Sequence, residues 1–80
     1  MLDELISSKI FDGGIEAPFS TTIASAWLVV DRIIGSGYHI EIFTTTSKEW
    51  EVVAYNRQGQ HCARAKTPAM AICLAGLKVL

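Results

Sequence analysis

Apolar residues recur along this chain with a helical period up to Gly35 and a period of two after it, and a final apolar run returns to helix. Leu2, Leu5, Ile6 and Ile10 stand at helical spacing, and Asp12-Gly13-Gly14 ends that stretch. A short bridge leads to Pro18-Phe19. Ser20 is a good N-cap, and the helix it starts is expected to run to about Ile34. On that helix Ile23, Trp27, Val30 and Ile34 make one stripe, widened by Ala26, Val29 and Ile33. The apolar arc is about 160° wide, broader than the minimum for a surface helix. Ser25 and Arg32 lie opposite, with Leu28 the lone apolar residue among them. Gly35-Ser36-Gly37 closes the helix.

Alternation then predicts three strands, over residues 38–45, 49–55 and 61–65. Tyr38, Ile40 and Ile42 point one way; His39, Glu41, Phe43 and Thr45 point the other. Trp50, Val52 and Ala54 oppose Glu49, Glu51, Val53 and Tyr55. The turns at Ser47-Lys48 and Asn56-Arg57-Gln58-Gly59 are short, so the strands form an antiparallel meander. Thr67 and Pro68 fit the N-cap and first position of a last helix. From Ala69 to Leu80 only Lys78 is charged. Such a helix has no polar face and needs burial on most sides.

The expected fold is therefore α+β, a three-stranded antiparallel meander with helices packed on it, in the order α-α-β-β-β-α. Its core is expected to hold Ile23, Trp27, Val30, Ile34, Ile40, Ile42, Val52, Ile72 and Val79. Both sheet faces carry apolar groups, the second one Phe43, Val53 and Tyr55 beside Glu41 and Glu51. A wet face would read as polar. The N-terminal helix, a second subunit or a ligand is expected to cover part of it.

Eighty residues make one domain, residues 1–80, with a marginal core. Small scaffolds add disulfides, a metal or oligomerisation. The two cysteines, Cys62 and Cys73, form no Cys-x-x-Cys, and His39 and His61 have no ligand spacing to them. No structural metal and no cofactor are expected. The opening Met-Leu-Asp-Glu lacks the basic start and apolar run of a secretory leader. The run from Ala69 to Leu77 is too short to cross a bilayer. A cytoplasmic protein with reduced thiols follows as the expectation. Oligomerisation is then the remaining source of stability. A homo-oligomer is expected, built through Phe43 and Val53 of the second sheet face or through Met70, Leu74 and Leu77 of the last helix.

Net charge is −1, unevenly placed. Residues 1–36 carry five acids and two bases, whereas residues 57–80 carry four bases and no acid. That is a local basic end and not the footprint of a nucleic-acid binder.

Three stretches carry a family resemblance. Ser20-Thr-Thr-Ile-Ala-Ser-Ala-Trp27, with Val29-Val30 following, resembles the S-T-D-I-A-A-A-W-x-V-V segment of small phage and prophage proteins known as the phage ABA sandwich domain. Leu2-Asp3-Glu4-Leu5 through Lys9-Ile10 is similar to the leading L-D-x-L-V-A-x-K-V helix of that family. Thr67 to Ala75 is similar to its T-A-P-x-A-I-C-x-A-A helix. The Trp-rich loop that often follows the first helix there is missing, since residues 12–19 are only a brief bridge. The resemblance implies an α/β/α sandwich-like arrangement, a phage or prophage origin and no known reaction.

No nucleophile with a base and no acid pair stands in a catalytic motif, so no enzyme is expected. Glu41 and Glu51 share a strand face and read as solvated. Gly13-Gly14 and Gly35-x-Gly37 lack the strand–glycine–helix context of a phosphate loop. The order from Ser20 onward resembles the double-stranded-RNA-binding domain, but one lysine, Lys66, stands where that module carries a cluster. Duplex RNA is not the expected partner. One ligand reading remains. Arg64, Lys66 and Thr67 precede the positive end of the last helix and could hold a phosphate there. Trp50, Tyr38 and Tyr55 on adjoining strands could stack a base. For a small phage protein this reads as an oligomeric module that sequesters a nucleotide signal of host defence. The alternative is an adaptor that binds a host or phage protein through its apolar sheet face.

Overall fold

A computed structural model describes residues 2–80. Its elements are α1 (Leu2–Phe11), α2 (Ile23–Gly35), β1 (His39–Thr44), β2 (Trp50–Asn56), β3 (Gly59–Ala65) and α3 (Pro68–Val79). The sheet order is β1-β2-β3 and both pairings are antiparallel. The expected α-α-β-β-β-α meander is the fold observed.

Local chemistry explains most boundaries. α1 stops at Asp12, which takes a left-handed φ of 54°, and the Gly13 N–H donates to the Ser7 carbonyl at 2.8 Å. That bond is one residue wider than a Schellman bond, and with Asp12 and Gly13 both left-handed it turns the chain off the helix. α3 starts as its sequence requires: Thr67 caps it by accepting a bond from the Met70 N–H, with Pro68 in the first turn. α2 differs from expectation. Ser20 is not its cap: it stands inside a turn in which the Thr21 and Thr22 N–H groups donate to the Pro18 carbonyl, and its own N–H donates to Asp3 Oδ1 at 2.8 Å, tying the bridge to α1. The helix begins two residues after the expected first turn, behind Thr22. The Thr22 hydroxyl donates back to the Pro18 carbonyl at 3.1 Å and does not cap the helix.

The packing of α2 also departs from expectation. Ala26, Val29, Val30 and Ile33 are buried, whereas Ile23, Trp27 and Ile34 are 50%, 50% and 51% exposed. Three of the residues expected in the core thus lie on the surface. The physical reason is the width of the apolar arc: only part of it can meet its neighbours, and α3 selects the part. At Gly76 a β-carbon would stand 2.6 Å from a methyl of Val29 and 3.0 Å from Ile10. Three helices therefore meet at a residue without a side chain, and this contact draws Val29 and Ile33 inward. On α1 the buried set is Ile6, Ser7, Ile10 and Phe11, while Leu5 faces solvent. Phe19, in the bridge, is fully buried and stacks on Phe11 at 5.3 Å.

α3 lies at the centre. It packs on β2 and β3, on α2 beside it and on α1. Ala69, Ala71, Ile72, Cys73, Ala75 and Gly76 are buried, and Met70, Leu74, Leu77 and Val79 are half-buried by the chain's own elements. The apolar last helix thus has its cover within one chain. Of the two surfaces expected for self-association, this one is largely used up internally. Val52, Ala54 and Ala63 form the buried floor of the sheet, with Ile40 and Ile42 half-buried at its β1 edge. α2 and α3 cover that one face. α1 packs on α3 and so is not the cover for the second sheet face.

Candidate functional site

The strand registers decide which side chains meet. On the face away from the helices, one row holds His39 and Tyr55 with Gln60. The next holds Glu41, Val53 and Cys62, and the third holds Phe43, Glu51 and Arg64. Val53, Tyr55 and Cys62 are half-buried, and Phe43 is 42% exposed. No helix among the described residues packs over them. The result is a surface with an apolar middle, an acid (Glu41) at the β1 edge and a base (Arg64) at the β3 edge. Arg64 Nε donates to Glu51 Oε1 at 2.7 Å, so its charge is partly balanced from the neighbouring strand. Glu41 and Glu51 share this face as expected, and Glu51 is the one engaged.

The six residues expected to bind a ligand do not converge. Trp50, Arg64, Lys66 and Thr67 gather at the end of the sheet where α3 begins, but Trp50 is on the helix-covered face and Arg64 on the open one. The Thr67 hydroxyl is engaged in capping α3. Tyr38 and Tyr55 are at the opposite end and on opposite faces. Tyr38 meets His61 edge-on at 6.2 Å, and Tyr55 meets His39 at 5.4 Å. His39 and His61 therefore do not approach one another. Period-two alternation carries no information on which strand end meets which, so sequence alone could not separate the two groups.

The opposite end does form a cleft that the sequence reading missed. Ser36, Gly37, His39, Tyr55, Asn56, Arg57 and Gln58 line an open space of about 650 Å³. Its signal was the pairing of two turn sequences, Gly35-Ser36-Gly37 and Asn56–Gly59, across a single strand pair. A second cleft of about 480 Å³ lies along α1 and is lined by Asp3, Glu4 and Glu16 among others. Its acidic lining repels anions.

The β3 edge is closed by the Lys78 ammonium, which donates to the Cys62 carbonyl. A lysine so placed blocks strand addition at that edge. Cys73 is fully buried, and burial, with the nearby Asp3 charge adding to it, pushes its thiol from an ordinary 9.0 up to about 12. It stays protonated at neutral pH and is no nucleophile. Among the described residues no group of three or more metal-ligating side chains comes together, and no helix is long and apolar enough to cross a membrane.

Residues 5–77 match the model of a family described as the phage ABA sandwich domain. The fold is similar to a phage protein from Bacillus cereus ATCC 14579, known from a 2.0 Å crystal structure. The TM-score is 0.77 and the identity 28%, over 96% of this chain and 82% of that one. No curated protein matches the sequence.

Proposed function

The chain belongs to the phage ABA sandwich domain family, and on that premise we propose that it is a non-enzymatic phage accessory protein that docks a partner protein on its open sheet face. One observation carries this reading: α2 and α3 cover one face of the sheet, and the other, with Phe43 at its edge, has no cover among the described residues. A face of Phe43, Val53 and Tyr55 flanked by charge has the anatomy of a docking patch, apolar inside and polar at the rim. The partner it fits is an amphipathic helix from a host or phage protein, lying across the strands with a basic flank toward Glu41. Such a helix would add a layer on the free side of the sheet.

A second reading, sequestration of a small phosphate-bearing nucleotide, is favoured by one feature. The cleft at the β2–β3 turn joins a stacking pair, His39 and Tyr55, to the cation Arg57. On this reading the ligand site is there and not at the start of α3.

Both readings are tested together in infected or lysogenic cells. A photo-crosslinking residue placed at Phe43 is expected to capture a defined protein partner, and one placed at Arg57 is not. Native mass spectrometry of the purified protein reports any retained small ligand. A retained nucleotide lost on Arg57→Ala, with no capture at position 43, would reverse the order of the two readings.

A further inference from the structure

The exposed stripe on α2 has no role in either reading above. Ile23, Trp27 and Ile34 are each about half exposed, and they line one side of the helix. At 100° per residue the stripe lies roughly a third of a turn round from Val29 and Ile33, which pack toward α3 at Gly76. It therefore faces away from the rest of the helical layer. With Leu28 they make α2 the helix with the most exposed large apolar residues among the described ones, a surface of the kind that marks an interaction site.

We propose that this stripe is a self-association surface, on which a second copy of the chain docks α2 against α2 in antiparallel fashion about a two-fold axis. The pattern along the helix is self-complementary. An axis through the point between Leu28 and Val29 sets Ile23 of one copy against Ile34 of the other, twice. The same axis brings Trp27 beside Asp31 of the second copy, offset by about one residue rise of 1.5 Å. In a two-fold antiparallel pair of helices, groups on one flank of the stripe meet groups on the same flank of the mate. Trp27 and Asp31 share a flank.

Their chemistry also matches. The indole N–H is a donor without an acceptor, and the Asp31 carboxylate is an acceptor without a donor. Neither has a hydrogen-bond or ion-pair partner among the described residues. The two-fold supplies each with the other, so the dimer has two symmetric hydrogen bonds close to the axis and an apolar Ile23–Ile34 contact at each end. This is the isologous contact typical of C2 dimers. One helix pair buries less than a standard interface of about 800 Å² per partner. The dimer is accordingly weak, with a dissociation constant in the micromolar range. It is independent of the sheet face, which stays free on both copies.

Sedimentation velocity from about 1 to 300 µM tests this. The unmodified protein is expected to pass from monomer to dimer across that range. Trp27→Glu sets two acids together and is expected to stay monomeric throughout, as is Ile34→Glu at the far end of the stripe. Asp31→Asn keeps an acceptor and is expected to weaken the dimer about tenfold or less. Phe43→Glu is expected to leave the dimer unchanged. Far-UV circular dichroism of each variant checks that it is folded, and all four positions are exposed in the monomer. Monomer at every concentration overturns the proposal. A dimer that survives Trp27→Glu and Ile34→Glu overturns it too. If Phe43→Glu alone dissociates that dimer, the sheet face is the self-contact, and the partner-docking reading falls with it.

Discussion

Cys73 shows how one residue couples burial to pH. Its thiol is pushed up to about 12 in the folded chain against an ordinary 9.0. Below pH 9 both folded and unfolded chains keep the proton, and this group makes no difference. Between pH 9 and 12 the unfolded chain releases it and the folded chain does not, so stability falls as pH rises. The slope from this one group is about 1.4 kcal/mol per pH unit. Urea unfolding at pH 8, 10 and 11 is expected to show that loss, and Cys73→Ala to show a shallower one. Parallel slopes for the two proteins would mean that the thiol ionises freely in the folded state. The sequence already placed Cys73 in an apolar helix. The contribution of Asp3, seventy residues away in the chain, arises only from the packing of α1.

Among the elements, α3 sets the geometry of the whole helical layer. Its small residues let α1 and α2 approach it, and at Gly76 side chains of both, Ile10 and Val29, come where a side chain would stand. Gly76→Ala would favour the helix by about 1 kcal/mol from propensity alone. The added methyl would stand 2.6 Å from Val29, whose β-branched side chain has little freedom to turn. Overpacking of that kind costs about 1–3 kcal/mol, so a net loss of up to about 2 kcal/mol is expected from the urea midpoint. Val29→Ala makes room, and the double variant is expected to be more stable than the two single losses added together. Strict additivity would show that the two residues are not in contact. The same element explains the misplaced stripe on α2. Wide apolar arcs specify a helix but leave its rotation open, and here the neighbour with the smallest side chains fixed it.

As a whole molecule the chain packs α2 and α3 on one face of the sheet and holds α1 against α3. Ile6, Ile10 and Phe11 belong to the single core, and the Asp3–Ser20 bond ties α1 to the bridge. Removing residues 1–11 would expose α3 and Phe19 to water. The shortened chain is expected to lose sharp cooperative unfolding and to bind an apolar dye, the signs of secondary structure without fixed packing. A chain without α1 that melts as sharply as the intact protein would show that the sheet and two helices suffice. On this arrangement two surfaces are left over, the open sheet face and the α2 stripe, and they lie on different sides of the molecule.

Features that depend on neighbours along the chain were legible before any packing was known. Alternation gave three strands with two short turns, and Thr67-Pro68 gave the start of α3, because local sterics and hydrogen bonding decide these features. It also placed Phe43 and Val53 on one strand face, since the period of two leaves no choice. Tertiary structure decided what depends on groups far apart in the chain. The rotation of α2 was set by Gly76, the tie between the bridge and α1 by Asp3, and the burial of Phe19 by Phe11. The binding residues failed to converge for the same reason: Trp50 and Tyr55 are separated by strand length and by face, and only the paired register fixes both. A pattern read along one chain reports which residues need to be buried. It cannot report which of them find a neighbour, because the available neighbours are fewer than the apolar positions, and packing chooses among them.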